Sequence, residues 1–273
     1  MIAIENVRFS YPGGAKIFDG LSAEFPKGRV SAVAGPNGSG KSTLLKLAAG
    51  LLAPSSGNCS IEGMALSSLD VLARAKLAAC VPQHSTLPED WPVKEIVALG
   101  DYPHRERPPA PRPLAQRLAE ARDSLGLAGL WERVARSLSG GEAQRVVLAR
   151  ALVQDAPALF LDEAANHLDI KSQVMLHHLL ARLASEGRTI LLATHDVNFP
   201  RLWGFDLFIL DRAGHLLPFP QGQEEQGALL ERVYATPLIP GKLDGITCWF
   251  PNPKSEITST VETQRAKIQL GEG

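Results

Sequence analysis

The sequence predicts an α/β fold built on a parallel sheet, and three features of the chain predict it. Apolar runs of strand length stand at residues 30–34, 158–161 and 189–193, and such runs are typical of strands buried on both faces of a parallel sheet. The segments between them place apolar residues three and four apart, which is the spacing of helices that pack on a sheet. A glycine-rich loop, residues 35–43, joins the first run to a helix-forming stretch, as in the strand–loop–helix unit of this class.

The N-terminal residues predict an antiparallel β subdomain. Two segments rich in β-type residues, 2–9 and 18–25, are separated by the turn signal Tyr11-Pro12-Gly13-Gly14, and a short turn favours antiparallel pairing. Tyr11 ends the first segment, upstream of the glycine-rich loop. Its ring could stack on an adenine base, and a core aromatic residue is the alternative.

Residues 35–43, GPNGSGKST, fit the phosphate-loop pattern G-x-x-x-x-G-K-[ST]. Glycines let the backbone fold closely around an anion, and the unpaired N–H groups of the helix start point at phosphate oxygens. Lys41 would reach the β- and γ-phosphates, and the Ser42 hydroxyl would hold Mg²⁺. The loop predicts the core of a P-loop NTPase. Its predicted nucleotide-binding residues are Gly35, Pro36, Asn37, Gly38, Ser39, Gly40, Lys41, Ser42 and Thr43.

Polar side chains follow several of the predicted strands. Asp162 and Glu163 come directly after the run 158–161; one would hold Mg²⁺ and the other would orient or deprotonate the attacking water. A solvated turn is the alternative, and the phosphate loop favours the catalytic interpretation. His195 could bond a γ-phosphate oxygen or the water, or be a structural histidine. Gln83 is a neutral amide that could reach Mg²⁺ or the water.

The stretch Leu138-Ser139-Gly140-Gly141-Glu142 opens a predicted helix over residues 142–152. A serine and two glycines at a helix start form a second anion-binding geometry. One phosphate loop and one such site per chain predict a head-to-tail homodimer, in which each second site closes on the other copy's γ-phosphate. The alternative is that Ser139 only caps the helix.

Residues 86–152 predict a mostly helical lobe inserted into an α/β domain that spans residues 1–250. Apolar residues recur there three and four apart, and the proline- and arginine-rich segment 103–113 predicts a loop. Residues 251–273 are polar with little periodicity, and we expect a loosely ordered tail.

In these motifs the chain resembles the ATP-binding cassette family over residues 2–211. GPNGSGKST is similar to the Walker A loop, LSGGE to the signature, and ALFLDE to Walker B. The other matching positions are Tyr11 as the adenine-stacking aromatic, Gln83 as the Q-loop, Asn166-His167-Leu168-Asp169 as the D-loop and His195 as the switch histidine.

The resemblance implies ATP hydrolysis at a dimer interface with Mg²⁺. Glu163 would polarise the water, His195 would hold the γ-phosphate, and Lys41 and Gln83 would assist. Mg²⁺ would be held by Ser42, Gln83 and Asp162. The partner's nucleotide would be contacted by Ser139, Gly140, Gly141 and Glu142. One departure stands out, because Ala164-Ala165 replaces the family's common Pro-Thr, and the loss of a proline is expected to loosen this loop.

The segment 93–105 is similar to the helical lobe of importers for haem, ferric siderophores and cobalamin, with Asp101 at a usually basic position. This resemblance implies the ATPase subunit of an importer on the cytoplasmic face of the inner cell membrane. Its partners would be two transmembrane permease subunits and, indirectly, a substrate-binding protein. Haem is the first expected substrate, and an importer of zinc, manganese or another substrate is the alternative.

Composition favours a transporter ATPase over a soluble ATPase that acts on nucleic acid or the ribosome. The formal net charge is −1 and charged residues make up 21 % of the chain, so there is no overall electrostatic case for a nucleic-acid partner. A cassette ATPase of DNA repair or of the ribosome is therefore the less favoured alternative. No apolar run is long enough to span a bilayer, and we expect the three cysteines to be reduced thiols.

Overall fold

The computed structural model describes residues 1–106, 110, 112–166 and 168–252. Within this part of the chain the strands are β1 (Ile2–Ser10), β2 (Lys16–Phe25), β3 (Val30–Ala34), β4 (Ser56–Ile61), β5 (Met64–Ala65), β6 (Ala78–Val81), β7 (Ala158–Asp162), β8 (Thr189–Thr194), β9 (Asp206–Leu210), β10 (Leu216–Pro218), β11 (Leu238–Leu243) and β12 (Ile246–Pro251). The α-helices are α1 (Lys41–Ala48), α2 (Val71–Leu77), α3 (Val93–Ala98), α4 (Tyr102–Glu106), α5 (Leu114–Ser124), α6 (Gly140–Val153), α7 (Ile170–Ser185), α8 (Phe199–Leu202) and α9 (Gln223–Tyr234).

The central sheet has the strand order β10-β9-β3-β8-β7-β6. Strands β9, β3, β8, β7 and β6 pair in parallel, and only β10 pairs antiparallel, with β9. All five residues of β3 are buried, which explains why its sequence is continuously small or apolar. The predicted α/β class with a parallel core is confirmed. The carboxyl ends of β3, β6, β7 and β8 lie at one edge of this sheet, so the loops that follow them are neighbours.

The sheet is covered on both faces, and β7 shows how its residues divide between them. Leu159 and Leu161 belong to a core shared with α3, α6 and α7. Ala158 and Phe160 belong to a second core shared with α1 and the N-terminal strands. This division follows the two-residue period of a strand, and it fixes the direction in which the next residues, Asp162 and Glu163, leave the sheet.

The N-terminal strands form a separate four-stranded antiparallel sheet in the order β2-β1-β4-β5. This agrees with the predicted antiparallel subdomain. Its buried face carries Ile2, Ile4, Phe18 and Phe25, which pack over α1 and the central sheet. The sheet thereby holds the strand that leads to Tyr11 against the start of α1.

The chain between β6 and β7 is helical. Helix α6 packs against α3 and α5, and the apolar residues of these helices complete the first core. The predicted loop over 103–113 is wrong for residues 103–106, which belong to α4. Pro103 stands in the first turn of that helix, where a missing N–H costs nothing. Residues 107–109 and 111 lie outside the described residues.

Asp101 is buried against Arg117 in this helical region. Arg117 is 2 % exposed, its Nη2 lies 2.5 Å from Asp101 Oδ1, and its other nitrogens donate to the carbonyls of Arg112 and Val153. The acidic residue at a usually basic position is therefore paired. Both charges have a defined partner, as burial requires.

The C-terminal helix and hairpin, α9 with β11 and β12, were not predicted from the sequence. Strands β11 and β12 pair antiparallel from Leu238 with Pro251 to Leu243 with Ile246, and Trp249 joins the first core. The predicted polar tail, 251–273, lies outside the described residues except for Pro251 and Asn252. None of the described helices combines the length and the apolar character that crossing a membrane requires.

Candidate active site

The phosphate loop runs from the end of β3 to the start of α1. A Cβ on Gly35 would lie 2.3 Å from the Leu210 carbonyl oxygen, so the backbone is too close to β9 for any other residue. Gly40 has φ +100° and precedes α1 as its N-cap residue. A Cβ there would lie 2.9 Å from Ile17 Cγ2. The first N–H groups of α1 therefore border an open, side-chain-free turn that suits a phosphate.

The remaining loop residues divide by exposure. Asn37 and Gly38 are exposed, Pro36 and Ser39 are buried, and Ser42 and Gly40 are half-buried. Ser39 is 2 % exposed, and its hydroxyl has no hydrogen-bond partner among the described residues. A buried polar group without a partner is unfavourable unless a ligand completes it, which fits an anion in this loop.

Lys41 is buried inside the loop that it follows. It is 5 % exposed, and its Nζ donates to the carbonyl oxygens of Gly35 at 2.8 Å and Pro36 at 3.1 Å. An ammonium group has three donors, so these bonds leave one for a phosphate oxygen. Burial lowers the pKa of Lys41, while the nearby carboxylates of Glu163 and Asp162 oppose that shift. An added phosphate would favour the charged form.

Ser42 and Asp162 meet across the site, although 120 residues separate them in the chain. The Ser42 hydroxyl donates to Asp162 Oδ1 at 3.0 Å, and Asp162 is 8 % exposed at the end of β7. A hydroxyl and a carboxylate are the hard oxygen donors that Mg²⁺ prefers. The pair therefore fits the predicted magnesium ligands in residue type and in mutual position.

Glu163 is the centre of a hydrogen-bonded group. Its Oε2 accepts from Gln83 Nε2 and from Asn166 Nδ2, each at 2.8 Å, and His195 Nε2 lies 2.5 Å from its Oε1. The Glu163 side chain is 6 % exposed and that of His195 is 41 % exposed. Three of the residues predicted from strand ends are thus brought together around one carboxylate. The contact of Asn166 with Glu163 was not predicted, because the sequence indicates only that Asn166 belongs to a segment similar to the D-loop.

The backbone at Glu163 takes a conformation that is uncommon for a residue with a side chain. Its φ is +52°, and its N–H donates to the Ala193 carbonyl of β8 at 3.1 Å. The left-handed region costs free energy for non-glycine residues and is concentrated at functional sites. This turn aims the carboxylate toward Gln83 and His195 immediately after the strand ends.

Tyr11 lies beside the start of α1. Its hydroxyl is 3.3 Å from Thr43 Oγ1, and its ring packs edge-on against Phe9 with centroids 5.0 Å apart. Tyr11 is 41 % exposed, so it is not the core aromatic residue of the alternative interpretation. An exposed ring next to the phosphate loop is suitably placed to stack on a base.

The second predicted anion site stands at the start of α6. Ser139 Oγ accepts from the N–H of Glu142 at 3.3 Å, and Glu142 Oε2 accepts from the N–H of Ser139 at 2.8 Å. This is a capping box, and the bond to the Ser139 backbone lowers the pKa of Glu142. Ser139 and Gly140 are exposed, and Gly141 is half-buried. Capping and anion binding are compatible here, because the exposed turn remains open to a second molecule.

Comparisons with known proteins agree with this geometry. The sequence profile described as "ABC transporter" matches residues 18–166. The hemin import ATP-binding protein HmuV of Enterobacter cloacae is 38 % identical over 213 residues, which cover 76 % of this chain and 79 % of that protein. The cobalamin import ATP-binding protein BtuD of Halobacterium salinarum is 36 % identical over 198 residues, covering 72 % of this chain.

The chain spans only half the length of that cobalamin relative, 50 %. Among solved structures, the dimeric bacterial ABC transporter cassette MJ0796 superposes with a TM-score of 0.69 at 28 % identity, covering 78 % of this chain and 95 % of that one. The profile match extends over more than half of the residues and contains the phosphate loop, the signature and the Walker B strand. This chain therefore belongs to the ABC transporter family, as an ATP-binding cassette.

Proposed function

We propose that this chain hydrolyses ATP as the nucleotide-binding subunit of an importer. The observation that carries the proposal is the meeting of Glu163 with Gln83 and His195 beside a phosphate loop whose Ser42 contacts Asp162. This arrangement supports the proposal, because a buried carboxylate, a neutral amide and an imidazole that lie together suit the binding of a γ-phosphate and an attacking water. The ATP-binding role of the curated relatives supports it.

In this proposal the residues have separate tasks. Lys41 binds phosphate oxygens with its remaining donor, and the loop N–H groups hold the other oxygens. Ser42, Asp162 and Gln83 would hold Mg²⁺, which when bound neutralises charge on the phosphates. Glu163 accepts a proton from water and orients it, while His195 donates a hydrogen bond on the phosphate side. Tyr11 stacks on the adenine.

The active form in this proposal is a head-to-tail homodimer. The turn at Ser139 and Gly140 is exposed at the start of α6, where it is accessible to a second copy. Closing on the partner's γ-phosphate would use the helix N-terminus as an anion site. A dimeric cassette among the structural neighbours supports assembly as a dimer.

The proposal includes membrane partners, which the import role of the curated relatives supports. Large apolar side chains are exposed around the helical lobe, among them Trp91 (44 %), Leu99 (41 %) and Tyr102 (54 %). Exposed apolar groups of this kind favour a protein interface. We place two permease subunits there, on the cytoplasmic face of the cell membrane, with a substrate-binding protein outside. Haem is the substrate that we propose first, which the hemin relative supports, and the cobalamin relative supports cobalamin as an alternative.

The experiment is ATP hydrolysis by the purified chain, alone and reconstituted in vesicles with its permease subunits. We expect phosphate release that depends on Mg²⁺ and is coupled to uptake of haem, with siderophore and cobalamin as the comparison substrates. Glu163→Gln is the inactive control. A complex that transports none of the three compounds would refute the substrate class, and a complex without ATPase activity would refute the function.

A further inference from the structure

The loop after β8 is attached to the C-terminal part of the chain. We use the name switch segment for residues 195–198, and C-terminal unit for residues 223–251, which comprise α9, β11 and β12. Residue 195 is the histidine that contacts Glu163. The C-terminal unit carries none of the predicted motifs, and the residues of the site described above lie outside it.

Two hydrogen bonds connect the switch segment to the C-terminal unit. The Asn198 side chain donates through Nδ2 to the Trp249 carbonyl at 2.9 Å, and its Oδ1 accepts from the Trp249 N–H at 2.8 Å. One amide side chain thus pairs with both backbone groups of a single residue, as a neighbouring strand would. The adjacent Arg201 donates to the Thr247 carbonyl of the same hairpin.

The other end of the connection is held rigidly. Trp249 is 7 % exposed, and its indole Nε1 donates to Gln226 Oε1 at 3.2 Å. The ring also packs so closely on α9 that a Cβ at Gly227 would lie 2.7 Å from Trp249 Cη2. Gln226 is 4 % exposed and also donates to the carbonyls of Pro220 and Gln221. Trp249 therefore offers Asn198 a fixed partner.

A cavity of about 270 Å³ lies between the switch segment and the C-terminal unit, lined by His195, Val197, Leu230, Tyr234 and Leu238 among others. Asn198 and Trp249 also line it, so their two hydrogen bonds join the segments at the edge of this cavity. Within the chain around the switch segment, Asp196 Oδ1 accepts from the N–H groups of Asn198 and Phe199 at 2.7 and 3.1 Å. The backbone direction at residue 195 is thus coupled to Asn198.

We propose that the C-terminal unit positions His195, and that Asn198 is the positioning residue through which it does so. The inference rests on the proposed ATPase role of His195. The imidazole side chain is 41 % exposed and is held at one end by Glu163, so its placement depends on the backbone that carries it. A displacement near 1 Å at a reacting group costs about a hundredfold in rate.

The first test compares Asn198→Ala with His195→Ala and with the double variant. We expect Asn198→Ala to lower kcat for ATP hydrolysis about tenfold to a hundredfold, with KM within about twofold. In the His195→Ala background the same change should have no further effect on kcat, because its action passes through the imidazole. An equal loss in both backgrounds would overturn the inference.

The second test does not depend on activity. The ring-proton NMR signal of His195 should shift in Asn198→Ala, and also in Asn198→Asp, which keeps the acceptor for the Trp249 N–H but replaces the donor with a carboxylate. Leu183→Ala, a core change on α7 at a residue 4 % exposed, is the control for lost stability and should leave that signal unchanged. A His195 signal unaffected by both Asn198 variants would refute the positioning role even if ATPase activity fell. If the His195 signal shifts in the Asn198 variants but the wild-type chain has no ATPase activity, the proposed function is refuted instead and the positioning role is not.

Discussion

Replacing Glu163 by glutamine tests the centre of the proposed mechanism with a nearly isosteric change. The wild-type carboxylate receives two amide donors on Oε2 and one imidazole nitrogen on Oε1. A glutamine can keep its oxygen toward Gln83 and Asn166, which leaves its NH₂ group facing His195 Nε2. His195 must then accept at that nitrogen instead of donating.

The structural cost of this change is modest. All three bonds change from charge-assisted to neutral, but a buried charge is removed as well, so we expect the free energy of unfolding to fall by about 1–3 kcal/mol at most. The catalytic cost is larger, because a general base contributes about a hundredfold to ten-thousandfold, or about 3–5.5 kcal/mol of activation free energy. The two effects are therefore separable in one variant.

The assay measures steady-state phosphate release, nucleotide affinity and oligomeric state together. Glu163→Gln should bind ATP with affinity near wild type, accumulate as a nucleotide-bound dimer, and turn over at least about a hundredfold more slowly. Glu186→Gln is the matched control, since Glu186 is exposed and its ion pair is with Arg182, four residues before it. Turnover of Glu163→Gln within a few-fold of the Glu186→Gln rate would refute the assignment of Glu163 as the base.

Three further predictions concern nucleotide binding, the turn before α6, and the pH dependence of stability through His177, a buried residue of α7. Lys41→Ala should weaken ATP binding about tenfold to a hundredfold in a fluorescent-nucleotide titration, because it removes a charge-assisted bond to phosphate; unchanged affinity would contradict the phosphate-loop assignment. Ser139→Asp keeps a good N-cap but opposes a phosphate, so we expect an unchanged melting temperature and ATP turnover lowered more than about tenfold; retained turnover would mean that Ser139 only caps α6. Burial lowers the pKa of His177, so the folded state loses stability as pH falls from the unfolded value toward the folded one. In chemical denaturation between pH 7 and 5, the stability advantage of wild type over His177→Phe should shrink, and a constant difference would contradict this.

The parts of the fold that sequence predicted well are those with a local signal. Strand β3 has five small or apolar residues that are buried on both faces, and a glycine-rich turn follows it, so its bounds were visible in the sequence. Asp162, Glu163 and His195 were found because each stands at the end of such a strand. Parallel strands end at one edge of a sheet, and their meeting in space is a consequence of that topology.

The parts that sequence did not predict depend on distant contacts. The hairpin β11–β12 is half exposed, so its residues alternate weakly, and Trp249 is buried only because α9 and Asn198 lie against it. Asn166 follows Glu163 by three residues, but its bond to the Glu163 carboxylate depends on the left-handed turn at that residue. The sequence does not predict helix α4, because a proline-rich segment favours a loop, whereas Pro103 lies in the first turn of this helix.

The loop after Glu163 lacks the proline that is common in the family, and hydrogen bonds from residues distant in the sequence compensate for its absence. Ala164-Ala165 was expected to loosen this loop for lack of a proline. In the structure, Gln144 Nε2 donates to the Ala164 carbonyl at 3.3 Å, and Gln173 Nε2 donates to the Ala165 carbonyl at 3.2 Å. Two such bonds contribute about 1–3 kcal/mol, at least as much as the roughly 0.4–1 kcal/mol that a compatible proline contributes. The expected loosening is therefore compensated, and because Gln144 belongs to α6, the same bond ties the helix that begins at Ser139 to the loop that carries Glu163.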